Sequence, residues 1–90
     1  MPYIEPKDRS RFDPHIDELV NELEITNPIS PGDVNYIVSR LIWKLWMNNR
    51  SYTLANNLIG ALECIKAEFL RRFLAPYEDV KIQENGDVKL

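Results

Sequence analysis

The stretch from Ser51 to Leu74 constrains the fold more than any other part of the chain. Leu54, Leu58, Ala61, Leu62, Ile65, Phe69 and Phe73 recur there at steps of three and four. That spacing lines one face of an α-helix and rules out a strand, whose period is two. Ser51 or Thr53 can cap the start, since a short hydroxyl side chain accepts a hydrogen bond from an orphan N–H of the first turn. Arg71 and Arg72 fall where positive charge suits the helix dipole. Pro76 is expected to end the helix, because proline brings no N–H to the ladder. A helix over 52–74 would be about 33 Å long, at 1.5 Å per residue. Such a rod spans the edge of a small domain, so other elements must lie along it. Gly60 sits inside it, and close packing of a neighbouring helix is the expected reason.

Two further helices precede it. Asp13-Pro14 opens the first, over 13–24, with Asp13 as N-cap and proline at a tolerated first-turn position. Ile16, Leu19, Val20 and Leu23 give it a narrow apolar stripe, and acidic residues solvate its other face. Ser30-Pro31-Gly32-Asp33 starts the second helix, over 31–48, with Val34, Ile37, Val38, Leu41, Ile42 and Leu45 as its core face. The short polar run Asn48-Asn49-Arg50-Ser51 favours an antiparallel pairing of the second and third helices.

The two ends read differently. Pro2 and Pro6 disfavour helix over residues 1–12, which are expected to form an extended arm with Tyr3-Ile4 able to pair as a strand. Val80-Lys81-Ile82-Gln83 alternates, Asn85-Gly86 follows, and Asp87-Val88-Lys89-Leu90 alternates again. Asn-Gly between alternating runs is the signature of a type I′ hairpin. The expectation is therefore a mainly α domain over residues 1–90, with three helices and a C-terminal β-hairpin over 80–90 that the N-terminal arm can join. A two-stranded hairpin alone is marginal in water, which is why a third strand or a covering surface is required.

Ninety residues bury a modest core. A net charge of −3 argues against a duplex nucleic-acid partner, which selects a basic face. One cysteine, Cys64, excludes an internal disulfide framework and fits a reducing cytoplasm. No apolar run approaches a bilayer-spanning length, so no membrane association is expected.

The second helix carries more apolar surface than one core needs. Tyr36, Trp43 and Met47 point nearly opposite to its core stripe, with Trp46 on the border. Either the first helix and the termini cover this second face, or copies of the chain pack through it; self-association through the second helix is the favoured expectation.

Motifs for chemistry are sparse. His15 has no paired ligands, no HExxH or CxxC is present, and Cys64 sits in no protease context, so no metal, cofactor or catalytic residue is assigned. Glu63 and Glu68 are five apart, which departs from the paired carboxylates of helical nucleotide pyrophosphohydrolases; an ion pair of Glu68 with Arg71 or Arg72 fits better. The best candidate site joins aromatics to arginines: Tyr36, Arg40 and Trp43 on the second helix, and Arg71, Arg72 and Tyr77 at the end of the third. Aromatic faces stack a base and arginine forks onto phosphate. Arg72 points toward the core stripe and needs an anion, either Glu78, Asp79 or a terminal carboxylate from the chain, or a bound phosphate.

Glu63-Cys64-Ile65-Lys66, Glu68-Phe69, Arg71-Arg72, Ala75-Pro76-Tyr77-Glu78-Asp79 and Glu84-Asn85-Gly86-Asp87-Val88, with Met1-Pro2-Tyr3-Ile4 and Asn35-Tyr36, together resemble a family of small uncharacterised proteins. The family occurs in bacteriophages and prokaryotes and is catalogued as a domain of unknown function. The resemblance implies a phage-type accessory protein and carries no catalytic residues with it. Small phage proteins of one class form homo-oligomers that sequester nucleotide second messengers of bacterial defence. By that analogy the expected function is a non-enzymatic, self-associating protein that holds a nucleotide-like small anion. The alternatives are an adaptor gripping a host or phage protein, and, further off, a small nucleotide hydrolase.

Overall fold

The Ile4 carbonyl accepts a hydrogen bond of 2.9 Å from Arg9 Nε. The computed structural model describes residues 2–90. Five α-helical segments follow one another: α1 (Pro6–Arg9), α2 (Asp13–Glu24), α3 (Pro31–Asn48), α4 (Tyr52–Phe69) and α5 (Ala75–Asn85). A π-helical turn, Leu70–Leu74, joins α4 to α5. No strand occurs among the described residues.

The chain divides into two compact units, Pro2–Asn56 and Asn57–Leu90, each described by itself. In the first, Pro6 occupies the opening turn of α1 instead of extending the arm. Its missing N–H is one of the orphans of a helix start, so proline is favoured there. The expected extended arm with a Tyr3-Ile4 strand is thereby corrected. Phe12, in helical conformation, precedes α2, and Ile16 N–H donates to its carbonyl at 3.0 Å. Asp13 accordingly lies inside the helix and its side chain makes no cap. The start of α3 rests on Ser30, whose carbonyl accepts from Asp33 and Val34 N–H at 3.1 and 3.3 Å.

The turn from α3 to α4 is tied at three points. Trp46 Nε1 donates to the Ser51 carbonyl at 3.0 Å. The Ser51 hydroxyl accepts from Leu54 N–H at 3.0 Å, which is the N-cap bond expected of a serine at this place. The Arg50 guanidinium lies 5.8 Å from the Trp46 ring centroid. Leu23, Ile37, Ile42, Trp46, Leu54 and Ala55 are half-buried, and these are the most enclosed large or apolar side chains of the first unit.

In the second unit the expected C-terminal hairpin over 80–90 is overturned. Residues Val80 to Asn85 belong to α5, and Gly86 ends it with φ 84° and ψ 155°, its N–H donating to the Ile82 carbonyl at 2.8 Å. Only glycine adopts that conformation without strain. Asn-Gly here terminates a helix, and four alternating residues are too few to exclude one. Pro76 does not stop the chain's helix either. In an unbroken α-helix its ring would collide with the carbonyl of Arg72, four residues back. The π-turn relieves this: Ala75 N–H reaches back five residues to the Leu70 carbonyl, and Pro76 then sits in the first turn of α5. The α4 helix at Gly60 meets no neighbour, since a Cβ placed there finds nothing within 4 Å. Close packing of another helix at Gly60 is therefore not its role within its own unit.

No described residue is buried. Each unit presents apolar side chains that its own packing leaves uncovered.

Candidate functional site

On α3, residues 32, 35, 36, 39, 40 and 43 fall at steps of three, one, three, one and three, so they line one face of the helix. Gly32, Asn35, Tyr36, Ser39, Arg40 and Trp43 line a groove of about 300 Å³ on that face. Tyr36 and Trp43, 62% and 68% exposed, stand as two aromatic walls one turn on either side of Arg40. Ser39 Oγ donates to Asn35 Oδ1 at 3.3 Å, which fixes the amide's orientation along the groove floor. Among the described residues no carboxylate pairs with Arg40. An arginine that no described carboxylate engages, between two aromatic side chains and beside a serine and an asparagine, has the chemistry to take a flat ring and an anionic oxygen together.

Tyr36, Arg40 and Trp43, three of the residues expected in a site, come together in this one groove. Gly32, Asn35 and Ser39 join them and were missed. The signal was their spacing: Gly32 and Ser39 each lie three or four residues from one of the expected residues, and Asn35 lies four before Ser39.

Arg71, Arg72 and Tyr77, the other expected site residues, belong to the second unit. Arg71 is engaged with Glu68, Nε to Oε1 at 3.1 Å and Nη2 to Oε2 at 3.0 Å. This two-pronged pair is the ion pair expected from the sequence, and it holds the guanidinium along the helix surface. The Arg72 guanidinium lies 5.8 Å from the Phe73 ring centroid, within cation–π range. Tyr77 carries the Lys81 ammonium 5.4 Å from its ring centroid. Lys81 in turn meets Glu84 at 3.2 Å.

A second concavity, of about 230 Å³, lies between α2 and α3 and is lined by Leu19, Glu22, Leu23, Asp33, Tyr36 and Ile37. Tyr36 thus borders both grooves. Cys64 is a half-buried thiol on α4. Among the described residues no group of three or more histidine, cysteine or carboxylate side chains is placed to hold a metal ion. No helix of the described residues is long and apolar enough to cross a membrane.

The profile of a domain of unknown function, DUF6899, matches residues 1–88. The chain belongs to this family. The match runs from the N-terminal arm through α5, so both units are parts of the DUF6899 domain. No curated protein and no solved structure matches the chain.

Proposed function

We propose that this DUF6899 protein is a non-enzymatic, self-associating binding protein whose α3 groove takes a nucleotide-like small anion. The observation that carries the reading is Arg40: a guanidinium without a carboxylate partner among the described residues, flanked on its own helix face by Tyr36 and Trp43. Base stacking on the aromatics and a forked contact from Arg40 to phosphate use these side chains as they stand. A groove on a single helix is open on one side, and a second copy packed through Tyr36, Trp43 and Met47 supplies the missing wall. Sequestration of a nucleotide signal, in a phage-type accessory protein, is the biological role this chemistry suits.

The test combines native mass spectrometry of protein purified from bacterial cells with calorimetric titration of cyclic AMP and cyclic di-AMP. The expected result is a homo-oligomer that retains or binds a nucleotide. Arg40→Ala should weaken binding by roughly ten- to a hundredfold, the loss typical of one hydrogen-bonded charge. A bare monomer that binds neither nucleotide would overturn the proposal. It would leave the exposed aromatic face to a protein partner.

A further inference from the structure

The helical run of the second unit carries a regular seam that the π-turn keeps straight. Leu58, Leu62, Ile65 and Phe69 are spaced four, three and four residues apart, the a/d alternation of a heptad. The next position of that heptad would be Arg72, yet the aromatic residue stands one place later, at Phe73. From there the alternation resumes with Tyr77 and Val80, four and three residues on. The heptad therefore contains one supernumerary residue, and it falls inside Leu70–Leu74, the π-turn.

A π-turn accommodates one residue more than an α-turn. Leu58 and Val80 are 22 positions apart. Removing the one absorbed residue leaves three full heptads of seven. Without the π-turn, everything after Phe69 would rotate by about 100°, the angle of one residue at 3.6 per turn, and Tyr77 and Val80 would leave the seam. The Phe69 and Phe73 rings lie 5.7 Å apart by their centroids, on the same side of the helix, as an uninterrupted seam requires.

Within the second unit most of this seam has no cover. Leu58 and Leu62 are half-buried. Ile65 (59%), Phe69 (60%), Phe73 (60%), Tyr77 (56%) and Val80 (52%) stand open. We infer that this seam is an interface with a second copy of the chain, formed by seam-to-seam helix packing and separate from the α3 groove.

Three observations select a second copy as the occupant. A heptad seam is met by knobs of a matching seam, and the chain itself supplies one. The charges along the same stretch are mixed and nearly balanced: Lys66, Arg71, Arg72 and Lys81 against Glu63, Glu68, Glu78, Asp79 and Glu84. Such a surface does not repel its own copy, whereas a strongly charged partner would select one sign. The area also suits. Three aromatics of 150–250 Å² each, exposed to the extent given above, offer about 300–400 Å² between them. Ile65 and Val80 bring the seam's core to roughly half of the ~800 Å² that each partner contributes to a standard stable interface, leaving the flanks to provide the rest.

Two measurements on the full chain test the inference. In the first, Phe73 is replaced by the photoreactive p-benzoylphenylalanine, which keeps an aromatic ring at the seam, and cross-linked peptides are mapped by mass spectrometry. Cross-links into residues 58–80 of a second copy are the expected result. Cross-links confined to the same chain, or landing in another copy outside 58–80, overturn it. In the second, native mass spectrometry compares the wild type with the Phe69→Glu/Phe73→Glu variant. The subunit number should fall at least by half, while the far-ultraviolet circular dichroism stays helical. An unchanged subunit number overturns the inference; if the variant loses its helix, the cross-linking result decides. Neither outcome touches Arg40, so failure of the seam and failure of nucleotide binding are read separately.

Discussion

Replacing Gly60 by alanine should stabilise this protein, and the size of the effect follows from the space around it. Gly60 lies in the interior of α4, eight residues after its first residue. Glycine there costs about 0.8–1 kcal/mol relative to alanine, because the unfolded chain loses more freedom and the helix gains no side chain. A glycine can repay that cost when a neighbour approaches too closely for a Cβ. Nothing stands within 4 Å of the position a Cβ would take, so no steric term opposes the gain. The expected change is thus about +0.8 to +1 kcal/mol. For a chain of this size each kcal/mol moves the thermal midpoint by about 4–8 °C. Urea unfolding followed at 222 nm, at one fixed protein concentration, gives the free-energy change from the midpoint at unchanged slope. A lower midpoint would refute the reasoning. It would mean that a surface from outside its own unit packs against Gly60 closely enough to exclude a methyl group.

Further outcomes follow from the same structure. Ser51→Ala removes the hydroxyl that accepts from Leu54 N–H and should cost about 1 kcal/mol in the same urea assay. Gly86→Ala places a side chain at φ 84°, ψ 155°, a region that costs of order 1–3 kcal/mol for other residues; amide hydrogen exchange should speed up over the last turn of α5 and stay unchanged in α3. Pro76→Ala removes the ring that the π-turn accommodates. The helix should then relax to regular α geometry, and association measured by sedimentation should weaken even though alanine is the better helix former.

Much of the helical layout was legible because apolar periodicity sustained over two or more helical turns favours one interpretation. The stripes of Ile16–Leu23, Val34–Leu45 and Leu54–Phe73 each run long enough to separate a period of 3.6 from one of two. The C-terminal third was misread for three physical reasons. Val80 to Gln83 spans only four residues, which satisfy both periods. Asn85-Gly86 supplies a positive φ, and both a hairpin turn and a helix C-terminus use one. Pro76 excludes an unbroken α-turn around it, which reads as a stop, but it does not exclude a π-turn before it. The one-residue slip in the heptad between Phe69 and Phe73 was the signal that the helix continued. In the site, the aromatic–arginine pattern on α3 pointed to Tyr36, Arg40 and Trp43, while the polar floor of Asn35 and Ser39 was overlooked because neither residue is charged or aromatic. The match to DUF6899 agrees with the resemblance to an uncharacterised domain family.

The two tryptophans of α3, three residues apart, stand in opposite surroundings. Trp43 is largely in water on the groove wall, whereas Trp46 is half-buried, donates its indole N–H to the Ser51 carbonyl and lies under Arg50. The protein therefore carries two intrinsic fluorophores that answer different questions. Emission from Trp43 should sit at the long-wavelength end, be readily quenched by iodide, and shift to the blue when a ring or a second chain covers it. Emission from Trp46 should resist iodide and change only when the turn between α3 and α4 opens. Variants that keep one tryptophan and replace the other by phenylalanine would follow groove occupancy and turn integrity independently, with no attached dye.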